Sequence, residues 1–253
     1  MIDAVGVVVP ARDEASRIGA CLEAIGAAAA TVSIPVVIVV AADSCRDDTA
    51  SVATRVAADV GLDLQVVACR ARSAGVARGV AARRLGTRLA SMGMAPAASW
   101  IACTDADTVV PRDWLRRQLG WAARGRDAVA GLVELPADAP PGLRAAFDDA
   151  VSAGERTHGH RQVHAANLGL RLSSLEAAGG FPTLEVGEDH ALWSRLARGS
   201  ARLTGAADLT VVTSNRLHSH TVGGFASFLA CLHAENADGE DGVRHSAGEA
   251  VDD

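Results

Sequence analysis

Two residue types are absent from the chain, and each absence excludes a class of chemistry. All 24 basic residues are arginine, and the sequence contains no lysine. A Walker-type phosphate loop, a Schiff-base enzyme and a lysine general base are therefore excluded. Tyrosine is absent as well, which excludes general-acid catalysis by a tyrosine hydroxyl.

Cysteine is scarce, and long hydrophobic runs are missing. The five cysteines are widely spaced and form no C-x-x-C pair, which disfavours a disulfide framework or a zinc site. The longest apolar runs, such as residues 34–42, are too short to cross a bilayer. Residues 1–4 lack the basic region of a signal peptide. We therefore expect a cytoplasmic protein with reduced thiols and no integral membrane segment.

The chain is mildly acidic, with a formal net charge of −6 and 21% charged residues. Such a balance gives no general attraction to nucleic acid or to an anionic membrane, so we expect no nucleic-acid partner. An anionic ligand would have to be met by local cations. The 253 residues, 49% of them hydrophobic, are enough to bury a substantial core.

Short apolar runs alternate with helical patterns over the first two-thirds of the sequence. This alternation predicts an α/β fold with a mostly parallel central sheet flanked by helices. We find no internal repeat and no clear linker, so we expect one domain over residues 1–235 and an acidic, disordered tail over residues 236–253. The predicted strands are residues 5–9, 36–40, 64–68, 100–103, 128–133, 163–170 and 209–212. The predicted helices include one opened by Pro111 and segments at residues 143–151 and 190–196.

Polar residues follow directly after the first, second and fourth predicted strands. The carboxyl ends of parallel strands lie along one edge of a sheet, where open α/β folds bind ligands. We therefore expect these side chains to share one crevice. No G-x-G-x-x-G follows the first strand, which disfavours a dinucleotide-binding domain. The residues concerned are Arg12, Asp13, Glu14, Asp43, Asp105 and Asp107.

Asp105-Ala106-Asp107 is the first candidate for chemistry. Two carboxylates two residues apart at a strand end can both approach Mg²⁺ or Mn²⁺. The ion would then neutralise charge on a departing diphosphate. The alternative is a capped loop that begins the next helix.

Two further sites carry carboxylates whose role the sequence leaves open. Asp43 can accept hydrogen bonds from a uracil imide or a guanine edge, or it can close an Asx turn. In Glu188-Asp189, one carboxylate can remove the proton of an attacking hydroxyl. The alternative is favourable acid placement at a helix N-terminus.

The histidine pair His218 and His220 is a candidate for completing a metal site. Alternate residues of an extended segment point to the same side, so both rings can face one ion. A neutral imidazole from this pair would complete the site begun by Asp107.

Several segments, taken in order, resemble the family 2 glycosyltransferases of the GT-A fold. Together they span about residues 5–228, and their joint order and spacing are specific although each is weak alone. The matching segments are residues 7–14, 43–49, 77–79, 105–107, 166–169, 179–181 and 187–189.

The resemblance implies a single GT-A domain with a Rossmann-like nucleotide-binding half and an acceptor-binding half. It implies transfer of a sugar, with inversion, from a nucleoside diphosphate sugar to an unidentified acceptor hydroxyl. Asp189, with Glu188 beside it, would be the general base. Asp107 would bind Mn²⁺ or Mg²⁺ directly, and Asp105 would contact the ribose or a metal-bound water. The nucleotide pocket would be lined by Pro10, Ala11, Arg12, Glu14 and Asp43 and shaped by Arg78.

The chain departs from the family pattern at two places. The family commonly has Asn where Asp13 stands, and a second acid where this chain has Ala42 and Ser44. The Q-x-x-R-W segment and membrane helices of processive members are missing, which favours a soluble, single-addition enzyme.

Two other functions remain open. A sugar-phosphate nucleotidyltransferase would need a Gly-rich loop with Arg and Lys after the first strand, where this chain has residues 10–14. A nucleotide-sugar binding module without catalysis is the second alternative.

Overall fold

The computed structural model describes residues 1–152, 155–156, 159–160, 162–218 and 223–246. Side chains are described for all of these except residues 155–156, 159–160 and 236–246.

Ten strands and eight α-helices form in this part of the chain. The strands are β1 Ala4–Ala11, β2 Val36–Asp43, β3 Asp63–Cys69, β4 Ser99–Cys103, β5 Thr108–Val109, β6 Ala128–Glu134, β7 Glu155–Arg156, β8 Gly159–His160, β9 Leu168–Arg171 and β10 Leu203–Thr213. The α-helices are α1 Ile18–Ala29, α2 Thr49–Asp59, α3 Ala74–Ser91, α4 Trp114–Ala123, α5 Pro141–Ser152, α6 Leu172–Ala177, α7 Glu188–Arg198 and α8 Phe225–Ser246. Short 3-10 helices cover Pro96–Ala98 and Ala165–Asn167.

Eight strands form one mostly parallel sheet in the order β3-β2-β1-β4-β9-β6-β10-β5. Strands β1 to β4 pair in parallel, and β6 pairs in parallel with β10. Strand β9 runs antiparallel to both β4 and β6, and β5 runs antiparallel to β10. The remaining strands, β7 and β8, pair as a separate hairpin. This arrangement confirms the predicted α/β fold with a mostly parallel sheet.

The sheet is covered on both faces, which explains why its central strands are apolar without alternation. All eight residues of β1 are buried. Val5, Val7 and Val9 belong to the core on the face covered by α1, whereas Val8 belongs to the core on the face covered by α3. Leu85 of α3 packs directly against the sheet because Gly6 carries no side chain there.

Several predicted boundaries differ from the structure. The strand predicted at residues 163–170 begins only at Leu168, since residues 165–167 form a 3-10 turn. The Ala165 N–H at the start of this turn donates to the Asp189 carboxylate at 3.0 Å and not to a neighbouring strand. Helix α4 begins at Trp114, three residues after the Pro111 that was expected to open it.

The last strand is longer than predicted, and a final helix forms that was not predicted. Strand β10 covers Leu203–Thr213, whereas residues 209–212 were expected. Helix α8 runs to Ser246, beyond residue 236 where the disordered tail was expected to begin. Residues 247–253 lie outside the described residues, and the boundary of the tail stays a prediction.

A buried asparagine connects three parts of the fold behind the cleft. Asn167 Oδ1 accepts from the Trp114 indole N–H at 2.9 Å, and its Nδ2 donates to the carbonyls of Leu132 and Leu209 at 2.8 and 2.9 Å. The register of β10 shifts before Thr210, so the Leu209 carbonyl is available to this side chain. Asn167 is fully buried, and its hydrogen bonds offset the cost of burying the amide.

Gly131 lies so close to Asn167 that we expect any side chain at this position to destabilise the fold. A Cβ added at Gly131 of β6 would lie 2.2 Å from Asn167 Nδ2 and 2.3 Å from the Leu209 carbonyl oxygen. We expect Gly131→Ala to lower the free energy of unfolding by about 3 kcal/mol, because it displaces a satisfied buried amide. Gly120→Ala in α4 is the matched control, since nothing lies within 4 Å of its added Cβ. The control should stabilise the protein by about 0.5–1 kcal/mol in urea unfolding. Equal effects of the two changes would contradict this account.

Candidate functional site

A cleft of about 380 Å³ lies at the carboxyl ends of β1, β2 and β4, beside the first residues of α7. The structure brings ten of the predicted site residues together in its lining. Asp13 is not among the lining residues. The predicted residues that line the cleft are Pro10, Ala11, Arg12, Glu14, Asp43, Arg78, Asp105, Asp107, Glu188 and Asp189.

Neither of the two predicted histidines is found in the lining formed by the described residues. His218 is exposed and does not line the cleft, and His220 lies outside the described residues. Completion of a metal site by this pair stays a prediction.

Arg78 bridges two carboxylates at the floor of the cleft. Its Nη2 donates to Asp105 Oδ1 at 2.6 Å, and its Nη1 donates to Glu188 Oε1. The guanidinium is buried, and its centre lies 6.0 Å from the Phe181 ring centroid. Burial alone would lower the pKa of Arg78, but Asp105 and Glu188 raise it above its ordinary value. The arginine therefore stays charged and joins the β4–β5 turn to the start of α7.

Arg216 bridges a second pair of carboxylates across the cleft. Its Nη2 lies 3.0 Å from Asp107 Oδ2, and its Nη1 lies 2.5 Å from Glu14 Oε1. Ser214 also donates to Asp107 Oδ2 at 2.5 Å. Each aspartate of the D-A-D turn is thus held by a different arginine, and each arginine also contacts a glutamate.

Burial raises the pKa of two acids in the cleft. For Glu14, burial raises the pKa and the Asp107 charge adds to the effect, although Arg216 opposes both. For Asp105, burial again raises the pKa, with Arg78 opposing and Asp107 reinforcing. For both acids, burial is the main cause of the raised pKa, and repulsion from Asp107 adds to it.

Asp43, at the end of β2, holds the connection between β3 and α3. Its Oδ1 accepts from the backbone N–H groups of Ala71 and Arg72 at 2.7 and 2.9 Å, and its Oδ2 accepts from Ser73 at 3.1 Å. The Ser44 hydroxyl adds a bond to Oδ1 at 3.1 Å. The carboxylate is only 3% exposed, so most of its capacity to accept hydrogen bonds is used within the protein.

Asp189 lies in the first turn of α7, where the helix dipole favours a carboxylate. Its Oδ2 accepts from the Ala165 N–H at 3.0 Å, and its Oδ1 accepts from its neighbour's N–H at 2.8 Å. Each oxygen therefore keeps further acceptor capacity toward the cleft. Gly187 begins the helix at φ 77°, a left-handed conformation that glycine adopts without strain.

Glu188 lines the cleft and also packs directly against helix α3. A Cβ on Gly75 would lie 2.6 Å from the Glu188 Cγ, so a larger residue there would push the glutamate out of place. The absence of a side chain at Gly75 lets α3 and α7 approach closely enough for the Arg78 bridge.

A separate group of possible metal ligands lies outside the cleft lining. Ligand atoms of Asp13, Cys45 and Asp47 lie within 4.8 Å of one another. Asp47 accepts hydrogen bonds from the Ala15 and Thr49 N–H groups at 2.9 and 3.1 Å. Burial alone would raise the pKa of Asp47. The hydrogen bonds from Thr49 and Ala15 outweigh this effect and lower the pKa below its ordinary value. These contacts identify Asp47 as the residue that ties the start of α2 to the chain after β1.

Sequence reasoning missed Ser73, Ser214 and Arg216, which all line the cleft. Ser73 caps α3 and donates to the Leu184 carbonyl at 2.8 Å, which joins the two loops at the cleft entrance. A polar group after the last strand was the available signal for Ser214 and Arg216. The same strand-end rule that selected Asp43 and Asp105 applies to them.

The mostly parallel sheet and the carboxylate-lined cleft at its carboxyl edge define an α/β domain of the GT-A type. Residues 3–222 match the family model described as "Glycosyltransferase like family 2". The chain therefore belongs to this family.

Solved structures with a similar fold include two glycosyltransferases. The mannosyltransferase PcManGT from Pyrobaculum calidifontis, in complex with GDP-Man and Mn²⁺, has a TM-score of 0.61 and 26% identity over 82% of this chain. TarS residues 1–349 from S. aureus, in complex with UDP, has a TM-score of 0.60 and 15% identity over 83% of this chain. The chain spans 56% of the first structure's length and 60% of the second.

No curated protein matches the sequence. Among the described residues, no helix has both the length and the apolar character needed to span a membrane.

The Arg78 bridge predicts a large and pH-dependent loss of stability. Arg78→Ala leaves the Glu188 and Asp105 carboxylates, 10% and 34% exposed, without their cation and should cost about 3 kcal/mol. Without Arg78, the pKa of Asp105 in the folded variant rises further above its value in the unfolded chain. At low pH the carboxyl is protonated in both states and costs no stability. As pH rises, the unfolded chain ionises first, so the folded variant loses stability. The deficit relative to wild type should therefore be larger at pH 8 than at pH 5 in urea unfolding.

Arg88→Ala is the matched control for this prediction. Arg88 lies in the same helix and pairs with Asp63, but both side chains are substantially exposed. Its loss should cost less than about 1 kcal/mol. A similar cost for the two variants, or a deficit that does not change with pH, would refute the role given to Arg78.

Proposed function

We propose that this domain transfers a sugar from a nucleoside diphosphate sugar to an acceptor hydroxyl, with inversion, in a metal-dependent reaction. The observation that carries the proposal is the composition of the cleft. Seven carboxylates and three arginines line it: Glu14, Asp43, Asp105, Asp107, Glu185, Glu188, Asp189, Arg12, Arg78 and Arg216.

This charge balance bears directly on a diphosphate ligand. An anionic diphosphate entering a cleft with excess negative charge is repelled unless a cation accompanies it. Repulsion from Asp107 contributes to the raised pKa of both Asp105 and Glu14, although burial is the larger cause. A divalent cation held by the carboxylates would offset the repulsion of the diphosphate.

The D-A-D turn fits such a cation. Asp105 and Asp107 each use one oxygen for the contacts with arginine, and within the described part of the chain no donor reaches the second. Carboxylate oxygens are the ligands preferred by Mg²⁺ and Mn²⁺. Asp107, with Asp105 beside it, would hold the ion. When bound, the ion supplies positive charge that stabilises the leaving diphosphate.

Asp189 is the proposed general base. Its carboxylate takes the proton from the acceptor hydroxyl while the hydroxyl oxygen forms a bond to the anomeric carbon of the sugar. The bond between that carbon and the diphosphate breaks, and the nucleoside diphosphate leaves with the electron pair. The Ala165 and His190 N–H groups fix the orientation of Asp189, and Arg78 fixes its neighbour Glu188.

The nucleotide is placed by residues at the ends of β1 and β2. Pro10, Ala11 and Arg12 line one wall, and the Arg12 guanidinium offers a cation to a phosphate. Asp43 shapes the wall opposite through the loop that it holds, and its Oδ2 has capacity for one further bond to a base. The GDP-Man and Mn²⁺ bound by PcManGT, and the UDP bound by TarS, support this class of donor.

A nucleotide-sugar binding module without catalysis is the second candidate. The carboxylates at Asp105 and Asp107 would serve binding in either case. Asp189 distinguishes the two candidate functions. It lines the cleft, and its proposed role is to accept the proton of the acceptor hydroxyl and not to bind the diphosphate.

We predict metal-dependent binding of one nucleoside diphosphate. Calorimetric titration with UDP, GDP, ADP and TDP, each with and without Mn²⁺, should show one that binds at least tenfold more tightly with the metal. Asp107→Asn should remove most of this metal dependence, whereas Asp59→Asn, on an exposed part of α2, should leave it unchanged. Failure of all four nucleotides to bind the folded protein would exclude the proposed donor site.

Replacement of the proposed base should separate binding from turnover. Asp189→Asn should reduce release of nucleoside diphosphate from the matching nucleotide sugar by about 10²–10⁴-fold, because the proton acceptor is lost. Nucleotide affinity should stay within about twofold of wild type. The same exposed Asp59→Asn variant is the control. Unchanged turnover in Asp189→Asn would eliminate this residue as the base, and absence of turnover in wild type would favour the binding module.

A further inference from the structure

We propose that Arg216 is an internal cation beside Asp107, and that it competes with a divalent ion for this carboxylate. This inference rests on the proposed metal-dependent function, which it deepens by naming the residue that controls metal entry.

The contacts of Arg216 place it where the ion has to bind. Its Nη2 lies 3.0 Å from Asp107 Oδ2, the carboxylate proposed as the direct metal ligand. The guanidinium supplies positive charge between Asp107 and Glu14, which lie on the connections after β4 and β1. A divalent ion bound to Asp107 would stand next to this guanidinium, and like charges at such a separation repel.

The second contact of Arg216 gives it a place to stay after displacement. Its Nη1 is paired with Glu14, whose side chain is only 6% exposed. Arg216 can release Asp107 and keep the buried Glu14 carboxylate, whose other cationic contact is Arg17 at 3.5 Å. Glu14 itself is fixed from behind, since its N–H donates to the Thr49 hydroxyl at 2.8 Å.

The two arginines that contact the D-A-D turn differ in exposure, and this difference distinguishes their roles. The Arg78 side chain is 2% exposed, whereas that of Arg216 is 28% exposed and follows the end of β10 on an irregular segment. A partly exposed guanidinium on a loop can exchange its partner for water or a phosphate at much lower cost than a buried one. Only Arg216 is therefore suited to yield to a metal ion.

The test compares binding of Mn²⁺ alone to wild type, Arg216→Gln and Arg216→Lys, with free Mn²⁺ measured by electron paramagnetic resonance. Arg216→Gln should bind Mn²⁺ roughly tenfold more tightly than wild type, because no cation competes for Asp107. Arg216→Lys keeps the charge and should stay within about threefold of wild type. Circular dichroism checks that each variant is folded.

Arg202→Gln is the control for a simple change in net charge. Arg202 also forms a salt bridge, with Asp127, away from the cleft. Its replacement removes the same charge and should leave Mn²⁺ affinity within twofold. Adding Asp107→Asn to Arg216→Gln should abolish the gain, which assigns the tighter binding to the D-A-D site.

Equal or weaker Mn²⁺ binding in Arg216→Gln overturns the proposal, as does absence of Mn²⁺ binding in all variants. A gain of similar size in Arg202→Gln overturns it as well. Nucleoside diphosphate binding, measured in parallel, separates this failure from failure of the proposed function. If a diphosphate binds wild type while Arg216→Gln leaves Mn²⁺ affinity unchanged, only the role of Arg216 is refuted.

Discussion

The buried ion pairs of Arg78 are the interaction on which the cleft depends. They join the turn after β4 to the start of α7, two segments that are more than 80 residues apart in the chain. Removing a guanidinium from water is costly, and only two carboxylates in direct contact offset that cost. The turn after β4 and the start of α7 are therefore held in fixed positions by their hydrogen bonds to the same guanidinium. The same ion pairs also position Asp189, because this residue directly follows Glu188 on the helix.

The strand-end rule explains why most of the site was predictable from sequence. The carboxyl ends of β1, β2 and β4 meet at one edge whatever the details of packing, so Asp43 and Asp105 come together by topology alone. The order of the motifs then indicated the family, which the family model confirms. The parallel half of the sheet was predictable for the same reason, since its strands are uninterrupted apolar runs.

Features that depend on side-chain partners were not predictable from the sequence. Arg216 and Ser214 follow a strand with a shifted register, where periodicity gives a weak signal, and nothing local shows that they face Asp107. Asp43 was predicted to meet a base or close a turn, and its bonds with residues 71–73 depend on the path of a loop 28 residues away. The Ala165 N–H, just before β9, donates to Asp189, which lies 24 residues further along the chain. Sequence patterns record which face is apolar, but they do not record which distant donor satisfies a given acceptor.

The two arginines divide the work of neutralising the D-A-D turn in a way that follows from their surroundings. Arg78 is enclosed by α3, α7 and the Phe181 ring, so the Asp105 bridge belongs to the permanent structure. Arg216 is partly open to solvent and stands on a connection between strand and helix, so the Asp107 bridge can exchange. Two fixed arginines would keep positive charge beside the ion, and a turn without any arginine would carry two unpaired carboxylates when empty. The two aspartates of one turn can therefore have different roles, one in stability and one in ligand binding. The burial of the arginine that contacts each aspartate decides which salt bridge is able to open.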